Sequence, residues 1–159
     1  MHYRIKSAVL TLAAAIIVAA SCAVTAADPV LGNWQLNVAK SKITPAGVYK
    51  SQTRAYSQSG SSISVVIKTV TADGKQNTTQ STYQTDGKDY PATGSPDYDT
   101  ISARQVNVST AQFVLKRSGK QVGSTDRTVS KDGKTLTANT KITTASGQTI
   151  EGTLVFDKQ

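Results

Sequence analysis

The sequence predicts an all-β fold, a small antiparallel up-and-down β-barrel of eight to ten strands. Two observations from Gly32 onward carry that reading. Short runs rich in Thr, Val, Ile and Tyr alternate with turn signals at intervals of about ten residues. Nowhere do apolar residues recur at helical spacing for three turns.

The first 27 residues stand apart from this pattern. Arg4 and Lys6 precede an uncharged apolar run from Ala8 to Ala20, followed by the small-residue stretch Ser21 to Ala27. A basic start, an apolar middle and a small-residue end are the order of a secretory signal peptide. Residues 1–27 are therefore expected to be a leader and residues 28–159 the mature domain, with cleavage after Ala26 or Ala27. An uncleaved anchor is the alternative, because Ala8 to Ala27 has about the length that spans a bilayer, although its alanine-rich composition argues against it. Cys22 raises a second variant, since Ala19-Ala20-Ser21-Cys22 loosely resembles a lipoprotein box without its usual Leu. Export places the protein in the periplasm or outside the cell, with no stable membrane span after cleavage.

Removing the leader decides most of the chemistry. Met1, His2 and Cys22 are the only Met, His and Cys in the chain. A mature domain without imidazole or thiol has no Ser-His-Asp or Cys-His nucleophile, no His or Cys metal ligand and no disulfide. No enzyme activity, no metal site and no cofactor are expected. A domain of this length buries about two-thirds of its surface and can stand on its core alone. Eighteen Lys and Arg less Arg4 and Lys6 leave sixteen against ten Asp and Glu, so the mature charge is +6. The basic residues are spread along the chain, which argues against nucleic acid as a partner.

The strands follow in order from Gly32. Asp73-Gly74, Asp86-Gly87 and Asp132-Gly133 are each followed by Lys and are read as tight hairpin turns, because such turns require positive φ. Ser59-Gly60, Ser118-Gly119 and Ser146-Gly147 mark three more, and Asn107 to Thr110 a further one; Pro91, Gly94 and Pro96 read as a loop. Alternation gives each strand one apolar face: Ile63, Val65 and Ile67; Phe113 and Leu115; Leu136, Ala138 and Ile142; Ile150, Leu154 and Phe156. Closing the sheet into a barrel buries that face and removes exposed edges. A two-sheet sandwich is the runner-up.

Gly32-Asn33-Trp34, at the start of the first strand, resembles the opening signature of lipocalins and related calycins. The resemblance extends to the run from Leu31 to Lys42, to Asp86-Gly87-Lys88-Asp89-Tyr90-Pro91, to Asp99-Thr100-Ile101 and to the run from Thr128 to Thr137. Together these are similar to a family of exported bacterial lipocalin-like proteins with no established activity. The resemblance implies a lipocalin-like barrel, with Gly32 and Trp34 at its closed end and a strand arginine, Arg127 or Arg104, over the indole. Few residues separate Leu36 from Lys50, so the helical lid of fatty-acid carriers is not expected, nor is the helix that follows the barrel in true lipocalins.

The candidate ligand-binding residues are Tyr56, Tyr83, Arg104, Phe113 and Arg127. Arginines in strands, Arg117 included, suit an acidic group, and tyrosines, Tyr90 and Tyr98 included, suit an amphipathic ligand or a barrel rim. Asp97 and Asp99 share a loop beside Pro96 but have no supporting acid in a pocket. The expected function is an exported, non-enzymatic binding module for a small apolar or amphipathic ligand. The alternative is a protein-binding barrel, such as a periplasmic or secreted protease inhibitor, using the rim loops or Ala27 to Leu31. Two Phe and one Trp leave little to line a large cavity, which tempers the first reading.

Overall fold

The computed structural model describes residues 27–159; residues 1–26, which hold Cys22 and all but the last residue of the expected leader, lie outside the described residues. Eleven strands form one antiparallel sheet. They are β1 (Gly32–Leu36), β2 (Lys42–Thr44), β3 (Tyr49–Ser59), β4 (Ser62–Thr71), β5 (Gln76–Tyr83), β6 (Asp86–Thr93), β7 (Thr100–Asn107), β8 (Thr110–Arg117), β9 (Lys120–Val129), β10 (Thr135–Thr143) and β11 (Thr149–Lys158). β1 pairs with both β3 and β11, which closes the sheet and excludes the sandwich. The short β2 was not legible as a strand. It continues β1 along the same edge of β11, from Thr153↔Lys42 to Glu151↔Thr44, so eleven strands make ten staves. From β3 onward each strand pairs with the next in sequence, as in an up-and-down barrel.

The expected apolar faces turn inward. Ile63, Val65, Leu115, Leu136, Ala138, Ile142, Ile150, Leu154 and Phe156 are all buried, and Ile67 and Phe113 partly so. Strand parity does this: once one residue faces the core, every second one must.

The turns divide by mechanism. Ser118-Gly119 is a two-residue turn with φ of 51° and 77°, matching the positive φ at both centres of a mirror-image hairpin turn. Asp73-Gly74 and Asp132-Gly133 also sit in hairpins, but in longer loops: Thr71 N bonds to Lys75 O at 2.9 Å, and Ser130 N to Thr135 O at 2.8 Å. In both, the Asp side chain accepts from the following Lys amide. Asp86-Gly87 is not a turn. It lies inside β6 as an irregularity in the pairing with β7, between Asp86↔Arg104 and Asp89↔Ser102. The chain has already reversed at Gln84-Thr85, so the positive φ of Gly87 serves a bulge instead. Pro91 is likewise in β6 rather than a loop. β5 meets β6 only at Gln80↔Thr93 and Ser81↔Ala92, and a ladder this short tolerates a residue without an N–H.

β10 is flanked by two glycines where the backbones crowd. A Cβ on Gly123 would stand 2.5 Å from Lys141 O, and one on Gly152, at φ 137°, would stand 2.1 Å from Lys42 O. Removing the side chain at these positions lets the wall bend sharply, as barrel closure requires.

Candidate functional site

One end of the barrel is plugged. Trp34 is 1% exposed and packs in one core with Val30, Leu36, Val129, Leu136 and Phe156. Its indole N–H donates to Val30 O at 2.7 Å, satisfying the one polar atom of the ring. The segment before β1 is folded into this plug: Val30 is buried, and Asp28 Oδ1 accepts from Val30 N at 2.9 Å. Gly32 is needed for its φ of 115°, since the nearest atom to a Cβ there is the mobile Lys158 Cε, not backbone. The cation over the indole is Lys158, with Nζ 5.1 Å from the ring. Neither Arg127 nor Arg104 takes that place.

The other end is open. A cavity of about 730 Å³ runs from a mouth formed by residues 45–49, 71–75, 95–98 and 144–148 down to Tyr83, Phe113 and Arg127. Its apolar wall includes Val65, Ile67, Ile101, Leu115, Ile142 and Leu154, while Gln52, Thr69, Thr79 and Ser81 are buried polar residues facing it. Small hydroxyl residues occupy the inward positions of the upper barrel, so the interior is left unfilled there. The scarcity of bulky apolar residues therefore opens the cavity rather than denying it, because volume missing from a closed shell remains as space.

Arg127 lies at the cavity floor and is 2% exposed. Its guanidinium carbon stands 5.3 Å from the Tyr56 ring and 5.2 Å from the Phe113 ring, so two aromatic faces hold it. Nη1 donates to Tyr83 Oη at 3.0 Å, Nη2 is 3.9 Å from Asp28 Oδ2, and Nε has no partner. Tyr83 meets Phe113 edge to face at 5.5 Å. Four of the five candidate ligand residues, Tyr56, Tyr83, Phe113 and Arg127, thus form one cluster. Of these Tyr83, Phe113 and Arg127 border the cavity.

Arg104 does not join them. Ile101 and Ala103 point inward on β7, so parity puts Arg104 outside, where it is exposed near Gly87. Arg117 sits at the open rim and donates to Asp97 O at 2.9 Å. The residue missed from sequence is Arg54, which borders the cavity. It lies two positions from Tyr56 on β3, so the same parity marks it as inward. Its guanidinium carbon is 4.4 Å from the Phe156 ring centre, and Nε donates to Gln52 Oε1 at 3.0 Å. Gln52 in turn donates to Thr69 Oγ1 at 3.0 Å.

The mouth is braced by carboxylates that bind backbone. Asp97 Oδ1 accepts from Ala145 N at 2.9 Å, tying the loop after β6 to the hairpin after β10. Asp99 Oδ2 accepts from Ser118 N at 2.8 Å, which holds its carboxyl below the ordinary carboxylate range. Burial pushes the Tyr98 hydroxyl up to about 12 and raises those of Tyr49 and Tyr83. Tyr90 does not border the cavity; it packs, partly buried, against the core and donates to Asp86 Oδ2. No group of His, Cys, Asp and Glu able to hold a metal occurs among the described residues, and no helix there is long and apolar enough to cross a membrane.

These features define a closed antiparallel β-barrel with one plugged end and one open internal cavity. No family model and no curated protein matches the chain. Among solved structures it is similar to two redesigned β-barrels, mFAP1 and mFAP0, each solved bound to DFHBI. The first shares 15% identity at a TM-score of 0.42, covering 79% of this chain and 94% of that one. The second shares 12% identity at a TM-score of 0.41, covering 82% and 99%.

Proposed function

We propose that the protein is an exported, non-enzymatic barrel that carries or senses a small amphipathic molecule. The observation that carries this reading is the open cavity of about 730 Å³, with an apolar wall and guanidinium groups at depth. That volume lies in the range of small-molecule sites, which pair apolar walls with a few placed polar groups. Absence of catalysis rests on the composition after the leader and on Asp97 and Asp99 being engaged with backbone amides. Export rests on the leader pattern.

Exposed Val106, near the end of β7, and Val108, in the turn to β8, favour the protein-binding alternative. That alternative loses the segment before β1 as its contact arm, because Val30 is buried within the plug. Native mass spectrometry of protein purified from its own host tests the two. A copurifying small mass supports carriage. A copurifying protein held at the β7–β8 end, released by Val108→Asp, would overturn it in favour of the alternative.

A further inference from the structure

We propose that the ligand is a monoanionic amphiphile whose acidic head, of the carboxylate class, seats on the free edge of Arg54 deep in the barrel. The inference rests on the carrier reading above and names the chemistry of its ligand. Both Arg54 and Arg127 border the cavity. Arg54 uses Nε on Gln52 and its face on Phe156, and among the described residues neither Nη1 nor Nη2 has a protein acceptor. A guanidinium held by one hydrogen bond and one ring face is already oriented, so its two NH2 groups, Nη1 and Nη2, present a fork that fits a carboxylate.

Charge sets the valence. The cavity-lining carboxylates, Asp73 and Asp97, lie at the mouth: Asp73 pairs with Lys75 at 3.0 Å and Asp97 accepts from Ala145 N. At depth, Arg54 and Arg127 bring two positive charges and Asp28, 3.9 Å from Arg127, brings one negative. One positive charge is left over, and a monoanion neutralises it. Arg54 is half-buried with its Nη groups facing the cavity, so an acidic head that displaces water from them gains a charge-assisted contact in a sheltered site. An uncharged head leaves the extra positive charge in place. The apolar wall then takes the body of the ligand.

The test is calorimetric titration of the purified, delipidated protein with dodecanoate and with dodecanol, which share a tail and differ in head charge. Dodecanoate is expected to bind at least about ten-fold tighter, the equivalent of one charge-assisted hydrogen bond. Arg54→Gln should abolish that preference through loss of dodecanoate affinity, and Arg54→Lys, which keeps charge but not the fork, should keep part of it. Dodecanol binding also reports that each variant is folded. Equal affinity for the two heads, or an undiminished preference in Arg54→Gln, would overturn the acidic-head assignment and leave the carrier reading standing. Failure of the folded wild-type protein to bind either tail would overturn both.

Discussion

At the scale of single residues, Trp34 shows how one side chain serves the closed end. It is fully enclosed, its N–H is satisfied by Val30 O, and Lys158 covers the ring. Truncation to Ala should destabilise the barrel by about 3–5 kcal/mol, as for other buried large aromatics, without changing ligand preference in the folded fraction. Chemical denaturation measures the first and titration the second. Because Trp34 is the one tryptophan, its emission reports the plug directly: blue-shifted, iodide-resistant fluorescence is expected, and a red-shifted, readily quenched signal would place it at an open surface. The Gly-x-Trp pattern made this position legible. The identity of the cation over it was not, because which long side chain reaches the ring depends on β11 returning beside β1, a contact between opposite ends of the domain.

At the scale of elements, alternation within a strand was the most informative signal. It placed Ile63 and Val65, and Leu154 and Phe156, on the inner face as found. Applied one step further it also separates Ala103 from Arg104 and couples Arg54 to Tyr56. What sequence could not resolve is which strand an Asp-Gly pair faces. Asp73-Gly74 turns between consecutive strands, whereas Asp86-Gly87 bulges against β7, and the two dipeptides look alike locally. The glycines flanking β10 give a test at this scale. Gly152→Ala combines a φ open essentially to glycine with a collision against Lys42 O and should cost about 3 kcal/mol or more. Gly147→Ala, in a loop with no atom within 4 Å of the new Cβ, should cost only about 1–2 kcal/mol for its left-handed φ. Comparable losses in thermal denaturation of the two variants would contradict the close packing of β2 on β11.

At the scale of the whole molecule, the plugged end and the open end differ in what fills them. Trp34, Tyr56, Leu136 and Phe156 fill one end, while Thr69, Thr79, Ser81 and their neighbours leave the other hollow. Composition alone did not predict this, because it counts bulky residues without saying that they are gathered at one end. Two partly buried tyrosines at the mouth give a pH signature. The Tyr98 hydroxyl is raised from 10.0 to about 12, with burial as the main cause, and Tyr49 is raised the same way. A raised value means that the fold favours the neutral phenol. The associated stability is therefore complete below about pH 10 and is lost as pH climbs towards about 12. Melting temperature should fall across that window as tyrosinate absorbance rises; tyrosines that all ionise near their ordinary value, with no loss of stability, would contradict the packed mouth.

The central claim is that the barrel encloses a space a ligand can enter, and a cavity-filling variant tests it most directly. Thr79 is buried, faces the cavity and lies on β5, so Thr79→Trp places a large ring in the hollow half without touching the plug. Titration with N-phenylnaphthylamine, a neutral probe that brightens in apolar surroundings, should show one site on the wild-type protein. It should show none on a Thr79→Trp variant whose circular dichroism remains that of a folded barrel. Binding of equal strength to both proteins would place the probe outside the barrel and contradict the account.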